Sequence, residues 1–213
     1  MTEEKQDLIE RHADWPLAWY LNSNLRRVAE KWVLRDLRQI FLAEMEQQLA
    51  GNEQILDVGS WPGHFGIELA IRLSKVRVIY LEDSGRNRAR LQLVASRKGI
   101  TDRVEIRKGN ITSIPVPESG VDMVICNGAF HELPDPRPAL AEFCRVVRPG
   151  GKVVVTDFKR THLSERIEKM YIGADAHGPF DAEEMRNLFK HAGLSEIRIR
   201  SLKHCILAVG SKR

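Results

Sequence analysis

The chain has few cysteines, no long apolar run and no strong excess of charge of one sign. Its 213 residues include three widely spaced cysteines and no Cys-x-x-Cys pair, the three being Cys126, Cys144 and Cys205. This pattern excludes a disulfide scaffold and a cysteine-rich zinc site, and it suits a reducing compartment. No apolar stretch approaches the roughly 20 residues that a membrane-spanning helix needs, and the N-terminus is too polar and acidic for a signal peptide. We therefore expect a cytoplasmic protein that holds no metal.

Composition and charge are those of a globular protein. Lys and Arg number 33 against 29 Asp and Glu, a formal net charge of +4, and 43% of the residues are hydrophobic. That surplus is too small to indicate nucleic-acid binding by itself, although the isoelectric point near 9.0 keeps the alternative open. The length fits one domain with a sizeable core.

The first part of the chain, residues 1–52, has no strand character and is predicted as a helical N-terminal extension. Apolar residues recur every three or four positions from Asn24 to Leu49, which predicts an amphipathic helix, and Gly51-Asn52 ends that pattern. Trp15-Pro16 predicts a shorter helix before it. The aromatic residues of this extension suit either a lid on the substrate side or ordinary packing; they are Trp15, Trp19, Tyr20 and Trp32.

The second part, residues 53–213, alternates strands with helices. Helices are predicted around Ile67 to Leu73, Ala89 to Ala95, Arg137 to Val147 and Ala182 to Ala192. Strands are predicted at Gln54–Val58, Val76–Leu81, Val104–Ile106, Val121–Cys126 and Lys152–Thr156. This alternation predicts an α/β fold, in which a mostly parallel sheet is covered by helices on both faces.

The end of the chain departs from the alternation. Two further strand-like runs, Glu196–Arg200 and Cys205–Val209, are separated by only four residues. Because a gap that short cannot hold a crossover helix, we expect these two strands to form an antiparallel hairpin at the edge of the sheet.

Two features at strand ends indicate a nucleoside-binding site. The run Asp57-Val-Gly-Ser-Trp-Pro-Gly-His-Phe-Gly66 joins the first strand to a helix, and its glycines permit close approach of a ligand. Glu82 ends the second strand, where an acid can accept hydrogen bonds from both hydroxyls of a ribose. Each feature alone also fits a plain turn or a solvated acid. Together they favour nucleoside recognition.

These residues resemble the class I S-adenosylmethionine-dependent methyltransferases, in particular the group similar to ubiquinone/menaquinone C-methyltransferases. The resemblance covers roughly residues 53 to 210. It rests on Ile55-Leu-Asp-Val-Gly59 with Gly63, Glu82, Gly109-Asn110, Asp122-Met-Val-Ile-Cys-Asn127, Arg148-Pro-Gly-Gly151, His177-Gly-Pro-Phe180 and His191-Ala-Gly-Leu194. The resemblance implies a Rossmann-like sheet of seven strands with an antiparallel last strand.

The resemblance also implies S-adenosylmethionine as the cofactor and methyl transfer as the reaction. Asp57, Gly59 and Gly63 would surround the methionine portion, Glu82 would hold the ribose, and Asn127 would lie beside the sulfonium and the substrate. The cofactor-binding positions that follow are Asp57, Gly59, Ser60, Trp61, Gly63, Glu82, Asp83, Asn110, Ile111 and Asn127. Asn110 stands where the family usually has Asp reading the adenine amino group, and an amide oxygen can accept the same hydrogen bond.

A histidine just after the fourth strand is the candidate for proton transfer. Methyl transfer depends mainly on alignment of the nucleophile, with a base only where a proton must leave. His131 follows Asn127 closely, and imidazole titrates near neutral pH. A structural role, capping the loop or packing under the substrate, fits His131 equally well. His64 and His177 are weaker candidates.

Two alternatives to a small-molecule methyltransferase stay open. The first is an RNA methyltransferase, because residues 86–108 are strongly basic, although the stretch has no interleaved aromatics. The second is a non-catalytic protein of the same fold, because the family expects glycine at position 61 and this chain has Trp61. A dinucleotide-dependent dehydrogenase is disfavoured, since its Gly-x-Gly-x-x-Gly pattern also needs that glycine.

Trp61 generates a prediction. Pro62 restrains residue 61 to extended conformations, so the turn differs from a glycine turn. Because the other cofactor positions are intact and Glu82 has no evident purpose without a ribose, we expect the indole to point toward the acceptor rather than into the methionine pocket. Trp61→Gly should then leave the affinity for S-adenosylmethionine, measured by calorimetry, within a few fold and change mainly the choice of acceptor. Absence of binding by the wild type at millimolar cofactor, restored in Trp61→Gly, would instead support the non-catalytic alternative.

Overall fold

The structure is a computed structural model, and it describes residues 35–59, 65–161, 164, 177–202 and 205–213. The helices are α1 Arg35–Glu46, α2 Phe65–Arg72, α3 Gly85–Arg97, α4 Arg137–Val146 and α5 Ala182–His191. The strands are β1 Gln54–Val58, β2 Arg77–Leu81, β3 Val104–Arg107, β4 Val121–Asn127, β5 Val147–Phe158, β6 Ser195–Ser201 and β7 Cys205–Ser211.

The seven strands form one sheet in the order β3-β2-β1-β4-β5-β7-β6. Strands β1 to β5 pair in parallel, whereas β7 runs antiparallel to both β5 and β6. The chain moves outward from β1 in one direction through β2 and β3, and in the other through β4 and β5. The carboxyl ends of β1 and β4 therefore meet where the direction of winding reverses, which is where open α/β sheets bind ligands.

The central strands are buried because helices cover both faces of the sheet. Four of the five residues of β1 and five of the seven of β4 are buried, which explains their nearly continuous apolar sequences. On one face Phe143 of α4 stacks on Phe130 with ring centroids 5.7 Å apart, and Phe180 packs 6.2 Å from the same ring. This aromatic contact fixes the loop after β4 against the core.

Residues Leu42–Arg213 form one compact unit. Within it, Glu44 of α1 pairs with Arg200 of β6 at 3.2 Å, and Glu46 pairs with Arg72 of α2 at 3.1 Å. The residues up to Phe41 are assigned to a separate unit, of which only the start of α1 is described. None of the described helices has the length and apolar character needed to cross a membrane.

The predicted fold class is confirmed, including the edge hairpin of β6 and β7. Strand β5 is longer than predicted: it begins at Val147 and extends to Phe158, so Arg148-Pro-Gly-Gly151 lies within the strand instead of only stopping α4. Gly150 and Gly151 pair with Lys212 beyond β7, and this added pairing extends the strand. The predicted helix from Asn24 is described only from Arg35, and the helix predicted around Trp15 lies outside the described residues.

Candidate active site

Parallel pairing brings four polar side chains to one edge of the sheet. Asp57 lies near the carboxyl end of β1, Glu82 directly follows β2, Asn127 ends β4, and Asp157 lies near the end of β5. Asp57 is in register with Tyr80 of β2 and with Ile125 of β4. The neighbouring strand ends thus lie side by side at one edge of the sheet, at the point where the chain reverses its winding direction.

The carboxyl group of Asp57 is fully buried and only partly hydrogen-bonded. Its Oδ2 accepts a hydrogen bond from the backbone N–H of Gly66 at 2.8 Å. Its Oδ1 is buried and has no hydrogen-bond partner among the described residues. Burial raises the pKa of Asp57 to about 7, against opposing hydrogen bonds from Gly66 and the Tyr80 hydroxyl. An unpaired oxygen in this position fits a site that a cationic ligand completes.

Glu82 is held by the turn that leads into α3. Its Oε1 accepts a hydrogen bond from the backbone N–H of Ser84 at 2.9 Å, and its backbone carbonyl accepts one from Arg88 at 3.0 Å. Ser84 is also the N-cap of α3. The half-buried carboxylate is therefore positioned before any ligand arrives. The predicted neighbour Asp83 is exposed, and its carbonyl also accepts a hydrogen bond from Arg88.

The loops after β1 and β4 approach each other closely. Gly59 has a φ of 65°, and a Cβ there would lie 2.6 Å from the Cβ of Ala129. Only glycine fits this position without displacing the β4 loop. Asn127 is half-buried, and its Oδ1 accepts a hydrogen bond from the hydroxyl of Thr156 on β5. The pairing of β4 with β5 thus orients the amide of Asn127.

Asn110 and Ile111 lie in the turn after β3. The Oδ1 of Asn110 already accepts hydrogen bonds from the backbone N–H and the hydroxyl of Thr112, at 2.9 and 3.0 Å. These two bonds use both lone pairs of the amide oxygen. Recognition of the adenine amino group by Asn110 stays a prediction, and it requires this turn to open. Ile111 is half-buried and packs against the core.

His131 forms a buried pair with Asp157. The imidazole Nδ1 lies 2.6 Å from Oδ1 of Asp157, and His131 is only 3% exposed. The other oxygen, Oδ2, accepts the backbone N–H groups of Phe130 and His131 at 2.9 and 3.1 Å. Because a carboxylate only accepts hydrogen bonds, Nδ1 carries the proton, and in the neutral ring Nε2 then carries the lone pair.

The chain segment from His177 to Phe180 is tied to the His131 loop and to the end of β5. Leu133 and His131 offer their carbonyls to the N–H groups of His177 and Gly178, at 2.8 and 3.1 Å. Phe180 donates its N–H to the carbonyl of Phe158 at 3.1 Å. The ring of Phe158, 45% exposed, lies 4.9 Å from the imidazole of His131 in an edge-on arrangement. These contacts hold the imidazole in one orientation.

Several residues of the predicted site lie outside the described residues. They are Ser60, Trp61, Gly63 and the weaker candidate His64. The placement of the Trp61 indole therefore stays a prediction. Among the described residues, no group of three or more His, Cys, Asp or Glu side chains could hold a metal ion.

Part of the basic stretch serves the fold. Arg103 donates hydrogen bonds to carbonyls at the end of α2 and just beyond it. Arg107 pairs with Glu105 and donates a hydrogen bond to the carbonyl of Pro115. Arg88 holds the turn after β2. The exposed basic residues of the stretch include Arg86, Arg97, Lys98 and Lys108. Since three of its arginines bond the protein itself, the stretch is less suited to a phosphate-binding surface than its sequence indicates.

Sequence analysis missed Asp157, the partner of His131, and Tyr80, the partner of Asp57. Asp157 lies just past the predicted end of the fifth strand, and Tyr80 resembles an ordinary apolar strand residue. An acid directly after the run Val153-Val-Val-Thr156 was the available signal, because acids are rarely buried without a partner.

Comparison with known proteins decides the family. A profile described as "Methyltransferase domain" matches residues 49–193, about two thirds of the chain. The chain belongs to the methyltransferase domain family. This match, with the relatives described below, confirms the predicted resemblance to class I S-adenosylmethionine-dependent methyltransferases of the ubiquinone/menaquinone C-methyltransferase-like group. It also confirms S-adenosylmethionine as the cofactor of that family.

Two curated relatives show the extent of the similarity. The chain is 33% identical over 107 residues to a demethylmenaquinone methyltransferase of Lactiplantibacillus plantarum, covering 50% of this chain and 45% of the relative. It is 24% identical over 226 aligned positions to a ubiquinone/menaquinone biosynthesis C-methyltransferase of Rickettsia massiliae, covering 90% and 91%. The chain spans about half the length of the demethylmenaquinone methyltransferases that it matches.

A solved structure supports the fold. A SAM-dependent methyltransferase from Aquifex aeolicus superposes with a TM-score of 0.65 at 21% identity, covering 80% of this chain and 88% of that one. Identity at this level shows the fold, which agrees with the observed strand order.

The described residues fit the family's cofactor. S-adenosylmethionine carries a positively charged sulfonium and a ribose with two hydroxyls. The unpaired, buried oxygen of Asp57 suits the positive charge, and the carboxylate of Glu82 suits the ribose hydroxyls.

Asp57 generates a prediction about the free protein. Its pKa rises from 3.8 to about 7 on folding, so between these values the folded protein holds a proton that the unfolded chain has lost. The contribution of Asp57 to the free energy of unfolding therefore falls as pH rises through this window. The free energy of unfolding of wild type should therefore fall relative to that of Asp57→Asn as pH rises. The difference between the two proteins, measured by urea unfolding, should shift by about 2–3 kcal/mol in favour of the variant from about pH 5 to about pH 8.

The matched control is Asp102→Asn, which changes an exposed acid. The difference in the free energy of unfolding between this variant and wild type should not change comparably with pH. A difference between Asp57→Asn and wild type that stays constant with pH would mean that Asp57 is already ionised in the free protein.

Proposed function

We propose that this protein transfers the methyl group of S-adenosylmethionine to a small-molecule acceptor and that it acts in the cytoplasm. The observation that carries the proposal is that Asp57, Glu82 and Asn127 lie at the carboxyl ends of neighbouring strands, where the chain reverses its winding direction between β1 and β4. The family match supports the same reaction. The three cysteines are free thiols, which supports a reducing compartment.

On the cofactor side, Asp57 and Glu82 would hold the two ends of the methionine–ribose unit. When bound, S-adenosylmethionine supplies an electrophilic methyl group on a positively charged sulfur. Glu82 needs little reorganisation to accept ribose hydroxyls, because Ser84 already holds its carboxylate and Arg88 holds its backbone carbonyl. Asn127, which Thr156 orients, would lie between this part and the acceptor side.

On the acceptor side, His131 is the proposed base. Asp157 holds Nδ1 protonated and the edge of Phe158 packs against the ring, so Nε2 is the atom that would take a proton. A base in this position is useful only if the acceptor loses a proton as it gains the methyl group. We therefore propose an acceptor with an acidic O–H, N–H or C–H group.

The names of the relatives supply the first acceptors to test. They act, by name, on demethylmenaquinone, on malonyl-[acyl-carrier protein] and on 27-O-demethylrifamycin SV. These acceptors, tested with S-adenosylmethionine carrying a tritiated methyl group, form a compact panel. The helical extension over residues 1–52 stays a prediction, since most of it lies outside the described residues.

The RNA methyltransferase and the non-catalytic protein are the competing proposals. Structure-selective RNA binding that persists at physiological salt would favour the first. Absence of S-adenosylmethionine binding by the wild type would favour the second. The internal bonds of Arg88, Arg103 and Arg107 weigh against the first, and the intact arrangement around Asp57 and Glu82 weighs against the second.

Glu82 provides the test of the cofactor site. Glu82→Ala removes charge-assisted hydrogen bonds to the ribose, a total loss of about 1.5–3 kcal/mol. The affinity for S-adenosylhomocysteine, measured by calorimetry, should fall roughly ten- to a hundredfold while the melting temperature changes little. Asp102→Ala, at an exposed acid outside the site, should leave the affinity unchanged. Unchanged binding in Glu82→Ala would remove Glu82 from the site.

His131 provides the test of the acceptor side. With an acceptor identified in the panel, His131→Gln should lower the rate of methyl transfer by about 10²–10⁴-fold and leave cofactor affinity within a few fold. His191→Gln, which changes an exposed histidine on α5, should alter neither. A variant that melts at the wild-type temperature and transfers methyl groups at the wild-type rate would show that His131 only packs.

A further inference from the structure

We propose that Asp57 holds a proton in the free protein and releases it when the cationic methionine portion of S-adenosylmethionine binds. Cofactor binding would then be coupled to the release of one proton. The inference rests on the proposed function, because it needs a cofactor that binds next to β1.

The geometry around Asp57 is that of an incomplete site. Its Oδ2 is satisfied by the N–H of Gly66 at the start of α2, whereas its Oδ1 is buried without a partner in the part of the chain that the structure describes. The Tyr80 hydroxyl, which accepts the N–H of Ile67 at 2.6 Å, also bonds this carboxyl group. A carboxylate held by so few donors in a buried position is costly when charged.

The described groups that face Asp57 from the neighbouring elements carry no compensating charge. Tyr80 faces it from β2, the backbone of Gly66 from α2, and Cys126 belongs to the neighbouring strand β4. Burial raises the pKa of the Cys126 thiol well above its usual value, so the thiol stays neutral. Within the described residues, no Lys, Arg or His forms an ion pair with Asp57. Desolvation is therefore unopposed by a cation, which accounts for the pKa of about 7.

A bound cation reverses this balance. A positive charge within about 4–6 Å lowers the pKa of a carboxyl group by about one to three units. The ammonium and the sulfonium of S-adenosylmethionine are the two positive charges that its methionine portion brings. At a pH below about 7, binding must then expel the proton from Asp57. By linkage, affinity for the cofactor rises with pH up to that value and is flat above it.

The experiment measures protons released on binding. Calorimetric titrations of the full chain with S-adenosylmethionine are carried out in two buffers of different ionisation enthalpy, at about pH 6 and at about pH 8. At the lower pH the wild type should release about 0.4 to 0.9 protons, according to whether the pKa falls by one or by three units, and at the higher pH far less. The affinity of the wild type should rise about five- to tenfold from the lower pH to the higher. The affinity of Asp57→Asn, which has no proton to release at this position, should not rise in this way.

Two other ligands serve as matched controls in the wild type. S-adenosylhomocysteine keeps the ammonium and lacks the sulfonium, so proton release with it would assign the effect to the ammonium. Lack of release with it would assign the effect to the sulfonium. 5′-Methylthioadenosine lacks both positive charges and should bind with no proton release and with pH-independent affinity. Equal proton release with all three ligands would overturn the proposal, because it would show no dependence on ligand charge.

The remaining outcomes separate this proposal from the proposed function. Binding of S-adenosylmethionine without proton release would overturn the role of Asp57 and leave the methyltransferase assignment intact. No binding at either pH would overturn the proposed function itself. Proton release that persists in Asp57→Asn would assign it to another group. His64→Gln, at a histidine between β1 and α2, should keep the release if Asp57 is its source.

Discussion

The parallel pairing of β1 with β4 is the constraint on which the rest of the structure depends. It places the carboxyl ends of both strands at one edge, and the chain winds away from this pair in both directions. The loops that follow the two strands approach so closely at Gly59 and Ala129 that only glycine fits at position 59. Every proposed contact with the cofactor begins from this edge.

Two buried aspartates near strand ends have different roles because their hydrogen-bonding surroundings differ. Asp157 accepts four hydrogen bonds, from the N–H groups of Phe130, His131 and Phe158 and from the imidazole of His131. Its charge is therefore well compensated inside the protein. Among the described residues Asp57 has fewer donors and one unpaired oxygen, and burial raises its pKa accordingly. The first aspartate stabilises the loop around His131, and the second leaves a requirement that a cationic ligand can meet.

Much of the fold and part of the site follow from local sequence. The alternation of apolar strands and amphipathic helices predicts the parallel sheet, because it is a matter of short-range periodicity. The four-residue gap before Cys205 predicts the edge hairpin, because it is a matter of length. The strand-end positions of Asp57, Glu82 and Asn127 follow from the same pattern. The pairing of His131 with Asp157 was not predicted, since the two residues lie 26 positions apart and belong to different elements.

The sequence by itself determined the order of strands and helices, the glycine-rich loop and the family, because these depend on residue types at short spacing. Only the tertiary structure decided which polar groups are satisfied. Hydrogen-bond partners such as Tyr80 for Asp57, Thr156 for Asn127 and Thr112 for Asn110 depend on register and on turn geometry. Burial removes water as an alternative partner, so the protonation of Asp57 is decided by the few donors that the fold brings within reach.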